Sequence, residues 1–135
     1  LANYISCQGA LAIQKVLSGS LQHFDPKELT EIIGDDEALK YELLQDYLLL
    51  STQALIELNS FYKQQDFSAL AGIAHKLKSP SKGIGAHAVF LLCEQVELQA
   101  KHEDLTLVST HIRELNISVE NLQQEVNHYI SIKIA

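Results

Sequence analysis

Turn-forming residues are scarce in this chain, with two prolines and six glycines in 135 residues. Strand-rich domains are punctuated far more often than this, so an all-β fold is disfavoured. Cysteine is nearly missing too: Cys7 and Cys93 are the only two, without CxxC spacing, and are expected as reduced, packed thiols of a cytosolic protein, with a Cys7–Cys93 disulfide as the minor alternative. No apolar run approaches the ~18 residues that a membrane helix needs, and no signal-peptide pattern opens the chain. A glycine-rich phosphate loop is also lacking, so nothing suggests nucleotide chemistry. Methionine is absent altogether and the first residue is Leu1, which leads to the expectation of a processed or excised piece of a larger protein. Basic residues are outnumbered, 10 Lys+Arg against 17 Asp+Glu for a net charge of −7. That balance argues against nucleic acid as the main partner, because phosphate contacts need a broad cationic surface.

What is present is helical periodicity. A composition 47% hydrophobic and 20% charged is that of an ordered domain, and this length supports one core. Residues 2–17 carry Ile5, Ala12 and Val16 at loosely helical spacing, ended by Ser18-Gly19-Ser20. Asp25-Pro26-Lys27-Glu28 reads as a helix start, and Gly34 stops that short helix. A long helix capped by Asp35 or Asp36 follows to about residue 63, with Leu44, Tyr47/Leu48, Ser51, Leu55, Leu58 and Tyr62 inward. Asp66 caps the next, with Leu70, Ala74, Leu77 and Ser81 inward. Ala86 to about Lys101 presents Val89, Leu92/Cys93, Val96 and Ala100. Asp104 caps the last helix, whose stripe runs from Val108 to Tyr129. Short connections force antiparallel neighbours. The predicted fold is all-α, an up-down-up-down four-helix bundle with additional short N-terminal helices; the bundle domain spans 24–135, and 1–23 form an N-terminal helix or tether.

One stretch reverses the acidic character of the chain: "AHKLKSPSKGIGA", residues 74–86. His75, Lys76, Lys78 and Lys82 lie together there, and the nearest carboxylates in sequence are Asp66 and Glu94. The inward stripe 70–74–77–81 leaves His75 on the flank of the core. Its helical neighbours are Ala71, Gly72, Lys78 and Ser79: small residues that let a bulky partner approach, and an ammonium able to neutralise an anion on the ring. With a turn near residue 85, position 75 lies level with 94–97 of the next helix. The Glu97 carboxylate can then accept the Nδ1–H of His75 and leave Nε2 free as a nucleophile.

These residues resemble the signature of histidine-containing phosphotransfer (HPt) domains. The likeness is carried by His75-Lys76-Leu77-Lys78, the small Ser79 and Ser81, Ile84-Gly85-Ala86, and Cys93-Glu94-Gln95-Val96-Glu97. It extends through "FDPKELTEIIGDDEALKYELLQDYL" and "QQDFSALAGIAH" to cover about residues 24 to 130. The resemblance implies a phosphocarrier, not a kinase: His75 takes a phosphoryl group from the aspartate of one response-regulator receiver domain and gives it to another. It implies Lys78 beside the phosphohistidine, Glu97 against the imidazole, and a docking surface of Ala71, Gly72, Ser79 and Lys82. No cofactor is expected on the domain itself, and Mg²⁺ is expected on the partner receiver. A monomeric, cytoplasmic module is implied, cut from a hybrid sensor kinase tethered to the membrane or else free-standing.

Pro80 departs from the pattern. Standing where the family has Ser or Ala, it predicts a helix kinked, or ended and restarted, between about 76 and 83. It is also the one feature favouring an interaction bundle that has lost phosphotransfer. A metal-oxidase bundle needs two Glu-x-x-His motifs, and Glu125-Val126-Asn127-His128 supplies a single one, with His111 and Glu114 in reverse order.

Overall fold

The computed structural model describes residues 23–134, and every regular element among them is an α-helix. In chain order these are α1 (Pro26–Ile33), α2 (Glu37–Lys63), α3 (Phe67–Gly83), α4 (His87–Lys101) and α5 (Leu105–Ile134). The expected segment 2–17 and Cys7 lie outside the described residues.

Aspartates start four of the five helices. Asp25, Asp36, Asp66 and Asp104 accept the amides of Lys27, Leu39, Ala69 and Leu107 at 3.0–3.1 Å. Each satisfies a first-turn donor that has no partner within its helix, and such caps contribute about 0.5–2 kcal/mol apiece. Only α4 begins without a side-chain cap; the tight turn before it does that work, with Gly85 at φ +81°.

The four long helices pack in the cyclic order α2, α3, α4, α5 and back to α2, most extensively between α3 and α4. Leu44, Leu58, Leu70, Leu77, Val89, Leu92, Val96, Leu115, Val119 and Leu122 are fully enclosed between them. This is the up-down-up-down bundle that the stripes predict. The short α1 closes one end. Its Leu29 is buried, and Glu28 reaches His87 at the start of α4. His23, placed with the N-terminal segment by the sequence, is packed into the bundle: its amide and that of Phe24 both donate to the Glu125 carboxylate, at 3.1 and 2.9 Å.

At Pro80 the structure departs from one of the two expected forms, a helix that ends and restarts. The helix neither ends nor restarts; α3 runs unbroken from Phe67 to Gly83 with Pro80 inside. The reason is position. Proline forfeits one bond, to the carbonyl of Lys76, and Lys76 lies on the exposed face of the helix, where an unpaired carbonyl costs least. The next residue, Ser81, is fully buried; its hydroxyl donates to Leu77 O at 2.8 Å and pairs with the Tyr47 hydroxyl at 2.7 Å. That tie to α2 holds the segment after the proline in register. Pro80→Ala is accordingly expected to raise stability by only about 1–2 kcal/mol, less than the ~3 kcal/mol of a regular interior. A rise of a few degrees in Tm checks this; a fall would show that Pro80 stabilises the native helix.

Candidate functional site

The α3–α4 hairpin builds the site. The turn at Gly85–Ala86, closed by the Ala86 amide on Ser81 O at 2.8 Å, sets position 75 of α3 level with position 97 of α4. Because Leu70, Ala74, Leu77 and Ser81 take the inward face, His75 stands outside the core with 66% of its side chain exposed. Glu97 flanks Val96 and is only 12% exposed.

The two side chains meet. Nδ1 of His75 lies 3.0 Å from Glu97 Oε2. A carboxylate can only accept, so Nδ1 carries the proton, and in the neutral ring Nε2 keeps its lone pair. Two further donors converge on the same carboxylate. Lys78 Nζ donates to Oε1 at 3.0 Å, and Lys101 Nζ donates to Oε2 at 3.3 Å. Partial burial pushes the Glu97 carboxyl up, but the hydrogen bonds and charges of Lys78 and Lys101 outweigh it and hold its pKa below the ordinary glutamate value. Glu97 therefore remains an ionised acceptor for the imidazole at neutral pH.

Beside the ring lies a shallow depression of about 560 Å³, lined by Phe67, Ser68, Ala71 and Gly72 from α3 and Ala100 from α4. Of the predicted docking residues, Gly72 and Ser79 are exposed, and the space beside the Gly72 Cα is open. Ala71 is only 8% exposed and contributes to the floor. Lys82 is exposed, but its ammonium sits 5.2 Å from the centroid of the Phe90 ring, an attraction to the ring face that draws it toward α4. Cys93 is a buried free thiol whose pKa burial pushes up, which suits packing and not reactivity.

Lys101 is the participant that sequence reasoning passed over. The signal was there: it follows Glu97 by four residues on one helix, the spacing at which side chains meet. The lone Glu-x-x-His motif does not assemble a metal centre. Glu125 is occupied by the amides of His23 and Phe24, His128 is exposed, and no group of three His, Cys, Asp or Glu is placed to hold a metal among the described residues. Nor is any helix among them long and apolar enough to cross a membrane.

Comparison with known families matches residues 42–125 to the Hpt domain, more than half of the chain and the whole of the α3–α4 site. No curated protein and no solved structure matches. A four-helix bundle carrying an outward histidine on one hairpin, with a family match that spans it, is a histidine phosphotransfer module of two-component signalling: the chain belongs to the Hpt domain family.

Proposed function

We propose that His75 is the phosphorylated residue, taking a phosphoryl group from a receiver-domain aspartate and delivering it to a second receiver. The observation that carries this reading is the exposed imidazole with Nδ1 engaged by Glu97 at 3.0 Å, which leaves Nε2 as the outward nucleophile. In the forward step the Nε2 lone pair attacks phosphorus and the P–O bond to the receiver aspartate breaks. The aspartate departs as a carboxylate with the bonding pair. The ring now carries a positive charge, stabilised by the Glu97 carboxylate on Nδ1–H, so no proton has to leave. The phosphoryl oxygens meet the ammonium of Lys78, one helical turn along. The second transfer is the reverse, onto another aspartate. The receiver brings Mg²⁺ and its acidic pocket; this domain contributes the histidine, its supporting charges and the small residues beside it. The cytoplasm is the compartment this chemistry implies, and a hybrid sensor kinase is the parent we favour.

An interaction bundle without phosphotransfer rested on Pro80 disrupting the site. The unbroken α3 lends that alternative less support.

Purified receiver domains charged with radiolabelled acetyl phosphate test the proposal. The label should move onto this domain and be stable in base but labile in acid, because protonation of the ring nitrogen releases phosphorus. Failure of every receiver to transfer label would count against it. Within the same assay, Lys78→Ala should slow acceptance about tenfold, the loss expected for one charge-assisted hydrogen bond of ~1.5 kcal/mol. Lys76 points about 100° round the helix from His75, and Lys76→Ala should stay close to wild type. Equal losses would mean general attraction instead of a placed contact.

A further inference from the structure

Glu97 is asked to serve two masters. It must hold His75 Nδ1–H throughout the reaction, yet one of its two ammonium partners, Lys78, is the cation positioned to meet the incoming phosphoryl group. Once the phosphoryl group is on Nε2, a dianion and the Glu97 carboxylate compete for the same ammonium, and the phosphoryl charge is the larger. If Lys78 turns to it, Oε1 loses its 3.0 Å partner, and a carboxylate that is only 12% exposed is left with less compensation.

Lys101 is placed to cover that loss. It reaches Oε2, the same oxygen that accepts from His75, at 3.3 Å. It sits on α4 one turn after Glu97, while Lys78 sits on α3 one turn after His75. Each lysine therefore travels with a different member of the pair. With 63% of its side chain exposed, Lys101 is free to tighten onto the carboxylate at little packing cost, and it borders the depression beside the ring. Resting on the phosphocarrier reading above, we propose that Lys101 is a positioning residue: it keeps Glu97 charged and seated on His75 Nδ1 when Lys78 leaves for the phosphoryl group. The three donors on one carboxylate are then a hand-over, with Lys78 assigned to the phosphoryl group and Lys101 to Glu97.

A double-mutant cycle separates this from a structural or a merely attractive role. Acceptance from a radiolabelled receiver is measured for wild type, Lys101→Ala, Lys101→Arg, Glu97→Gln and the double variant Glu97→Gln/Lys101→Ala, with Tm for each. Lys101→Ala should slow acceptance about two- to fivefold, the scale of one half-exposed ion pair, with Tm unchanged. Lys101→Arg should restore the rate, since it keeps the charge and reach. In the Glu97→Gln background there is no carboxylate charge to hold, so removing Lys101 should change nothing further. An equal loss in both backgrounds would overturn the inference, because Lys101 would then act on the phosphoryl group or the receiver directly. So would a wild-type rate in Lys101→Ala. If wild type itself accepts from no receiver, the phosphocarrier reading falls and takes this one with it.

Discussion

His75→Gln is expected to abolish phosphoryl acceptance while the bundle melts at nearly the wild-type temperature. Both halves follow from geometry. The side chain stands outside the core with its main contact at the Glu97 carboxylate, and an exposed pair of this kind is worth about 0–1 kcal/mol. Glutamine keeps a donor for that carboxylate but has no ring nitrogen to bond phosphorus. Loss of label should exceed a hundredfold, limited by background, since a covalent intermediate cannot form without its nucleophile. The other described histidines, His23, His87, His102, His111 and His128, should be replaceable without losing acceptance. A variant lacking His75 that still takes label would move the site elsewhere.

Gly72→Arg is expected to give opposite signs in two assays. Nothing lies within 4 Å of a Cβ added at Gly72, and the residue is inside α3. Replacing glycine there by a good helix former should leave stability unchanged or raise it by up to ~1 kcal/mol. The same side chain would fill the depression beside His75, across the path that a receiver must take to the ring. Transfer should drop at least tenfold through weaker docking, with the loss growing smaller at high receiver concentration. Loss of transfer together with a lower Tm would show a folding defect instead. A rate like that of wild type would mean that partners approach from another side.

Much of this arrangement is legible in the sequence because the signals are local. Aspartates at helix starts, a positive-φ glycine in the turn, and an apolar stripe every three to four residues each act over one or two turns. The turn at Gly85 then converts those local signals into a long-range pairing, since hairpin register alone brings position 97 level with 75. What could not be read depends on choices between packed neighbours. Whether Pro80 breaks α3 depends on the face that Lys76 takes and on the buried Tyr47–Ser81 pair, which no helical period encodes. Lys82 has the aromatic face of Phe90 within reach, and sequence spacing shows only the solvent side of that competition. Lys40 reads as a surface lysine, yet it is 3% exposed, with its ammonium 2.7 Å from the Thr30 hydroxyl of α1; that partner exists only once α1 has folded over the bundle.

The aspartate caps have an effect beyond starting helices. They fix carboxylates at the two ends of the bundle, Asp25 and Asp36 at one and Asp66 and Asp104 at the other, while α3 itself carries no acidic side chain between Phe67 and Gly83. Along this helix the protein has a negative pole and a positive waist. His75 lies nine residues from Asp66, about 13 Å along the axis, beyond the ~8 Å over which charges are felt at physiological ionic strength. Fixed negative charge thus lies at the poles of α3, while at its waist the Glu97 carboxylate is offset by the ammonium groups of Lys78 and Lys101. The same residues that start the helices thereby hold the acidic ends of α3 apart from its basic middle.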